Sequence, residues 1–143
     1  MRKKITRILV PLDGSKNSLK GLDFAIYLAR QCDATITGLY VLSFYIADNG
    51  PKIFGPYKKD LFKNAKNFIH DAKVHSAKKG VDFKEKIIEG DVISQDIARY
   101  ANSGKFDIMV ISSRGFGPVK GWFLGSVTYS VLHKSNIPIL VIK

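Results

Sequence analysis

Five short strand-like runs, separated by stretches with helical spacing, constrain the fold of this 143-residue chain more than any other feature. ITRILVPL (5–12), ATITGLYVL (34–42), VDFKEKIIEG (81–90), FDIMVIS (106–112) and IPILVIK (137–143) read as strands, several of them rich in β-branched residues. Leu19, Leu22, Ile26 and Ala29 define an amphipathic helix over 16–31, with Ser15 as its cap. Leu61, Ala65, Phe68 and Ala72 define a long lysine-rich helix that runs to Gly80, a stop signal. Ile93, Ile97 and Ala101 mark a third helix opening near Asp91, and Val127 and Val131 a fourth opening at Gly125 and Ser126. Strand alternating with helix predicts a three-layer α/β fold: an open parallel five-stranded sheet, apolar on both faces and covered by helices on both sides. Ligands of such sheets sit at the carboxyl ends of the strands, near the point where strand order reverses.

The chain length suits one domain, residues 1–143, large enough to bury a core without metal or disulfide support. The single cysteine, Cys32, has no cysteine partner and suits a reducing compartment as a buried or half-buried helix residue. No apolar run approaches the ~20 residues of a membrane span, and the apolar run behind the basic start is too short for a signal core, so a cytoplasmic protein is expected. Lysine and arginine number 23 against 12 aspartate and glutamate, a net charge of +11 that favours anionic partners without choosing among them. Nucleic acid is not expected as the partner, because charge is unaccompanied by a recognition motif or by regularly interleaved aromatics.

The fourth strand runs into SSRGFGPVKGWFLGS (112–126), with four glycines and a proline in fifteen residues. Bare backbone of this kind serves tight turning or close approach of a ligand. A helix N-terminus presents unpaired N–H groups and the positive end of its dipole, and glycines let a phosphate reach them. Ser126 adds a hydroxyl, and Arg114 and Lys120 add charge at the rim. The competing expectation is that Gly115, Gly117 and Gly121 serve turning alone and that Ser126 only caps the helix. Asp13, before Gly14 and Ser15, likewise suits a bond to the local backbone, and Asp91 suits a cap on the third helix. Residues 43–57, with two glycines, two prolines and four aromatics, read as a surface loop near a pocket.

VPLDGS after the first strand, YVL closing the second, and SRG followed by nine residues and GSVTYSVLHKSNIPILVIK together resemble the universal stress protein family over essentially the whole chain. The resemblance implies a Rossmann-like, adenine nucleotide alpha hydrolase-like domain, commonly dimeric. One branch of the family binds ATP through glycine, two residues, glycine, nine residues, glycine, and serine or threonine. By position the resemblance implies Gly115, Gly125 and Ser126 at the phosphates, Pro11 and Asp13 near ribose and phosphates, and the Val41 backbone at adenine. Ser112 stands where the family has its first glycine, and Arg114 lies at the rim.

No group near the loop has the look of a positioned base, so a catalyst is not expected beyond slow ATP turnover. His70 and His75 stand five apart and point away from each other, which argues against a shared metal site. Any Mg would arrive with the nucleotide, touched by Asp13. Trp122 beside Phe123 suits packing on the sheet. The C-terminal strand IPILVIK is a candidate for pairing with its twin in a homodimer. Two readings follow: an ATP-binding stress-response regulator or sensor, and, as alternative, a nucleotide-independent dimeric interaction module of the same fold.

Overall fold

The structure, a computed structural model, describes residues 3–43, 56–116 and 124–143. Nine elements alternate along the described chain: β1 (Arg7–Leu12), α1 (Lys16–Cys32), β2 (Thr35–Ser43), α2 (Pro56–Lys78), β3 (Phe83–Gly90), α3 (Ile93–Ser103), β4 (Ile108–Ser112), α4 (Ser126–Lys134) and β5 (Ile139–Ile142). The strands form one parallel sheet in the order β3-β2-β1-β4-β5. Strand order reverses between β1 and β4, so their carboxyl ends diverge into a crevice.

Alternation along β1 sorts the sheet into two faces. Ile8, Val10 and Leu12 turn to one side, where Leu22, Ala25, Ile26 and Ala29 of α1 and Ile69 and Ala72 of α2 close over them. Leu9 turns to the other side and meets Leu39, Val41, Met109 and Ile111 with Ile97 and Ala101 of α3 and Val131 of α4. Helices therefore cover both faces, as the alternation predicts. The expectation that every strand is apolar on both faces fails at β3, where Lys84, Glu85 and Lys86 are exposed. As an edge strand it leaves one side to water, and charges there discourage pairing with other chains. At the opposite edge β5 is half-buried throughout.

Helix ends follow local chemistry. The Ser15 hydroxyl accepts the Ser18 N–H at 3.1 Å and caps α1. Gly80, at φ +78°, takes the left-handed turn after α2 that a side chain resists. Three expectations need correction. The helix α2 opens at Pro56, inside the span read as loop, because proline is well suited to a first helical turn where no N–H is needed; residues 44–55 lie outside the described residues. Asp91 does not cap α3: Val92 holds that position, with no side-chain bond. Nor does Ser126 cap α4, since Gly125 is the N-cap and Ser126 the first helical residue.

Candidate functional site

The crevice at the β1/β4 switch is a cleft of about 1110 Å³. Its walls include Pro11 from β1 and Asp13 just after it, Val41 from β2, Ser112 at the end of β4, Arg114 and Gly115 beyond it, and Gly125 and Ser126 at the start of α4, so the eight residues singled out from the sequence line one space. Lys120, Gly117, Gly121, Trp122 and Phe123 lie outside the described residues.

Each wall is placed by backbone logic. The register of β1 on β2 ends at Leu12 with Tyr40, while Val41, Leu42 and Ser43 pair only with β3. Past the end of β1 this stretch of β2 faces the cleft, next to Leu61, Val92, Ile93 and Ile97, which make that part apolar. At the other part, Asp13 closes a turn by accepting the Ser15 N–H on Oδ1 at 2.8 Å, and Gly14 provides the φ of +87° the turn requires. Tyr40, half-buried, donates its hydroxyl to the Asp13 carbonyl at 3.2 Å. Burial pushes the Tyr40 phenol above its ordinary range, and the neighbouring Asp13 charge adds to this. Tyr40 is thus held as a neutral donor.

Gly115 and Gly125, in the loop after β4, are set by space and not by φ, since neither has a positive φ. A Cβ on Gly115 would collide with Asp13 Oδ2. One on Gly125 would stand 3.2 Å from Arg114 Cα and 3.3 Å from the Ser113 carbonyl oxygen, because the two limbs of the loop cross there. The Gly125 N–H donates to that same oxygen at 2.7 Å. The bare backbone lets two strands of loop and an aspartate meet at the mouth of α4.

Two residues that the sequence reading passed over hold this arrangement. Asn17 Nδ2 donates to the Gly115 carbonyl at 2.8 Å, and Thr128, 3% exposed, donates its hydroxyl to the Ser112 carbonyl at 2.8 Å. Their signals were an Asn in the first turn of α1 and a Thr in the first turn of α4, both overshadowed by the glycines. Serine at 112 sits at an ordinary φ and donates to the Arg114 carbonyl at 2.9 Å, so it fits without strain. His70 pairs with Glu85 at 3.2 Å and His75 with Asp23 at 2.8 Å, on different sides of α2. Among the described residues no group of three or more His, Cys, Asp and Glu is placed to hold a metal ion.

Fold and cleft define a doubly wound α/β domain with an open site where strand order reverses. The profile of the universal stress protein family matches residues 4–143, and the chain belongs to that family. It is 27% identical to the universal stress protein YxiE of Bacillus subtilis over 96% of this chain and 98% of the relative. Its fold is similar to that of the solved protein MJ0577 of Methanocaldococcus jannaschii, with a TM-score of 0.81 at 25% identity over 99% of this chain and 97% of the other. It is also similar to the universal stress protein from Archaeoglobus fulgidus solved in complex with dAMP, with a TM-score of 0.72 at 22% identity over the full length of both chains.

Proposed function

We propose that the chain binds an adenine nucleotide, ATP in particular, in this cleft and works as a cytoplasmic stress-response regulator or sensor. The observation that carries the reading is the division of the cleft into two chemistries. Val41, Leu61, Val92 and Ile97 offer a slot for a base, and Asp13, Arg114, Gly115, Gly125 and Ser126 a polar end for ribose and phosphates. An adenine nucleotide is the ligand in the Archaeoglobus fulgidus complex, which agrees with that base. Mg would be carried by the phosphates, with Asp13 the nearest carboxylate at this end of the cleft. The nucleotide would change the surface around the cleft that partners meet, with hydrolysis slow or absent.

Thermal unfolding with Mg-ATP, ADP, AMP, GTP and pyrophosphate at matched ionic strength tests this, since a basic chain responds to any anion. Ligand at a hundred times its Kd adds about 2.7 kcal/mol, a rise of roughly 3 to 6 °C in a domain of this size. A shift selective for adenine nucleotides, lost in Gly125→Asp, is the expected result. Equal shifts with pyrophosphate reduce the effect to charge.

The second reading, a nucleotide-independent dimeric module, is favoured by the half-buried β5 edge, which offers a strand to a second copy of the chain. A dimeric mass in light scattering combined with no nucleotide shift would support it.

A further inference from the structure

The departure at position 112 lies inside an unusual run of peptides. Four successive carbonyls leaving β4 each accept a donor from the protein. The Ser112 oxygen takes the Thr128 hydroxyl, the Ser113 oxygen the Gly125 N–H, the Arg114 oxygen the Ser112 hydroxyl, and the Gly115 oxygen the Asn17 amide. These bonds measure 2.8, 2.7, 2.9 and 2.8 Å. The oxygen sides of these peptides are therefore turned toward the protein's own donors. In a trans peptide the following N–H points opposite to the carbonyl, and no peptide here is cis. The bond from the Ser112 hydroxyl to the Arg114 carbonyl thus aims the Gly115 N–H away from that hydroxyl, and the Asn17 bond does the same for the Phe116 N–H. Among the described residues neither N–H has an acceptor, and both residues line the cleft.

We infer that Ser112 is a positioning residue: its hydroxyl holds the Arg114 peptide with the Gly115 N–H offered to an anionic oxygen. Taking that oxygen to be a nucleotide phosphate rests on the function proposed above. The serine is then a working part and not the mark of a decayed site. It makes affinity depend on the phosphates and leaves the base end untouched, because the residues lining that end form none of the four bonds.

The test compares Ser112→Ala with the parent protein and with Ser112→Thr, which restores a hydroxyl. Calorimetric titration with ATP, ADP, AMP and adenosine at one ionic strength reads the ratio of affinities. Ser112→Ala is expected to lose about tenfold in ATP affinity, the size of one well-placed hydrogen bond, with adenosine affinity unchanged. Ser112→Thr is expected to recover the ATP value. Equal losses for ATP and adenosine, or no loss, overturn the inference. Amide exchange in the ligand-free protein separates it from the nucleotide reading. Faster exchange at the Gly125 N–H in Ser112→Ala supports the hold on the loop even if the parent binds no adenine nucleotide, in which case only the nucleotide reading falls. Unchanged exchange overturns the hold itself.

Discussion

An aspartate is tied to each end of β1, and the two are used in opposite ways. Asp107, just ahead of β4, reaches the start of β1, where its Oδ2 accepts the Thr6 N–H at 2.9 Å, the Thr6 hydroxyl at 3.0 Å and the Arg7 N–H at 3.0 Å. Lys3 stands 3.8 Å from its other oxygen. Asp13, at the far end, spends Oδ1 on the Ser15 N–H and keeps Oδ2 beside Gly115 at the cleft. A carboxylate whose capacity is filled by its own chain is joinery between strands. One that keeps an oxygen facing a cavity is placed for something that arrives later.

The largest effect should come from the filled carboxylate. Asp107→Ala strips three donors of their acceptor at the β1/β4 junction and is expected to cost about 2 to 3 kcal/mol in chemical denaturation while leaving ATP affinity alone. A comparable loss of ATP binding would erase the distinction between the two ends. The Thr6 N–H bond, above all, holds the Asp107 carboxyl below the usual carboxylate range, with the Arg7 N–H, the Thr6 hydroxyl and Lys3 adding to it against the opposing cost of burial. A lowered native pKa means that the unfolded chain takes up the proton first. The contribution to stability is complete above the unfolded value near ~4 and is lost as pH falls through the native one. Denaturation midpoints followed from about pH 6 to pH 2 should fall less in Asp107→Asn than in the parent; parallel curves would mean that the carboxylate is not the group lost.

Asp13→Ala comes next in size, with its effects divided the other way. ATP affinity should drop about tenfold, while stability falls by only about 1 kcal/mol, the cost of one local turn bond. Titration and melting of the same sample decide the case. A large loss of stability with full nucleotide affinity would make Asp13 a second Asp107.

The legibility of the chain follows the same divide between local and distant partners. The turn at Asp13, Gly14 and Ser15 could be read from adjacent residues, because the bonds that make it span two and three positions. So could the layers, since the periodicity of β1 and α1 is a local property. Asp107 could not be read, because its partners lie about a hundred residues away. Asn17 and Thr128 stayed hidden for the same reason, acting across 98 and 16 residues. The glycines drew notice, but their reason differed from the general one. Gly14 needs its φ of +87°, whereas Gly115 and Gly125 need only the absence of a side chain where Asp13 and the loop's own limb pass. At α2 the local signals misled, because two prolines and the aromatics around them outweighed the fact that Pro56 can begin a helix.

Tyr40 gives the smallest effect and bears most directly on how Asp13 is held. Its hydroxyl is the cross-strand support of the turn, bonding the Asp13 carbonyl and leaving the carboxylate to the cleft. Tyr40→Phe removes one bond at 3.2 Å in a half-buried place and should cost no more than about 1 kcal/mol. Because burial and then Asp13 push the phenol up, the folded protein keeps it neutral at a pH where an unfolded tyrosine ionises. Its contribution is therefore whole below about pH 10, the unfolded value, and declines as pH climbs toward the raised one. The alkaline limb of the stability curve should be shallower in Tyr40→Phe than in the parent, with the acid limb, to which Asp107 contributes, the same in both. If removing the phenol altered the acid limb as well, the two ends of β1 would be coupled, and the division of labour between its two aspartates would not hold.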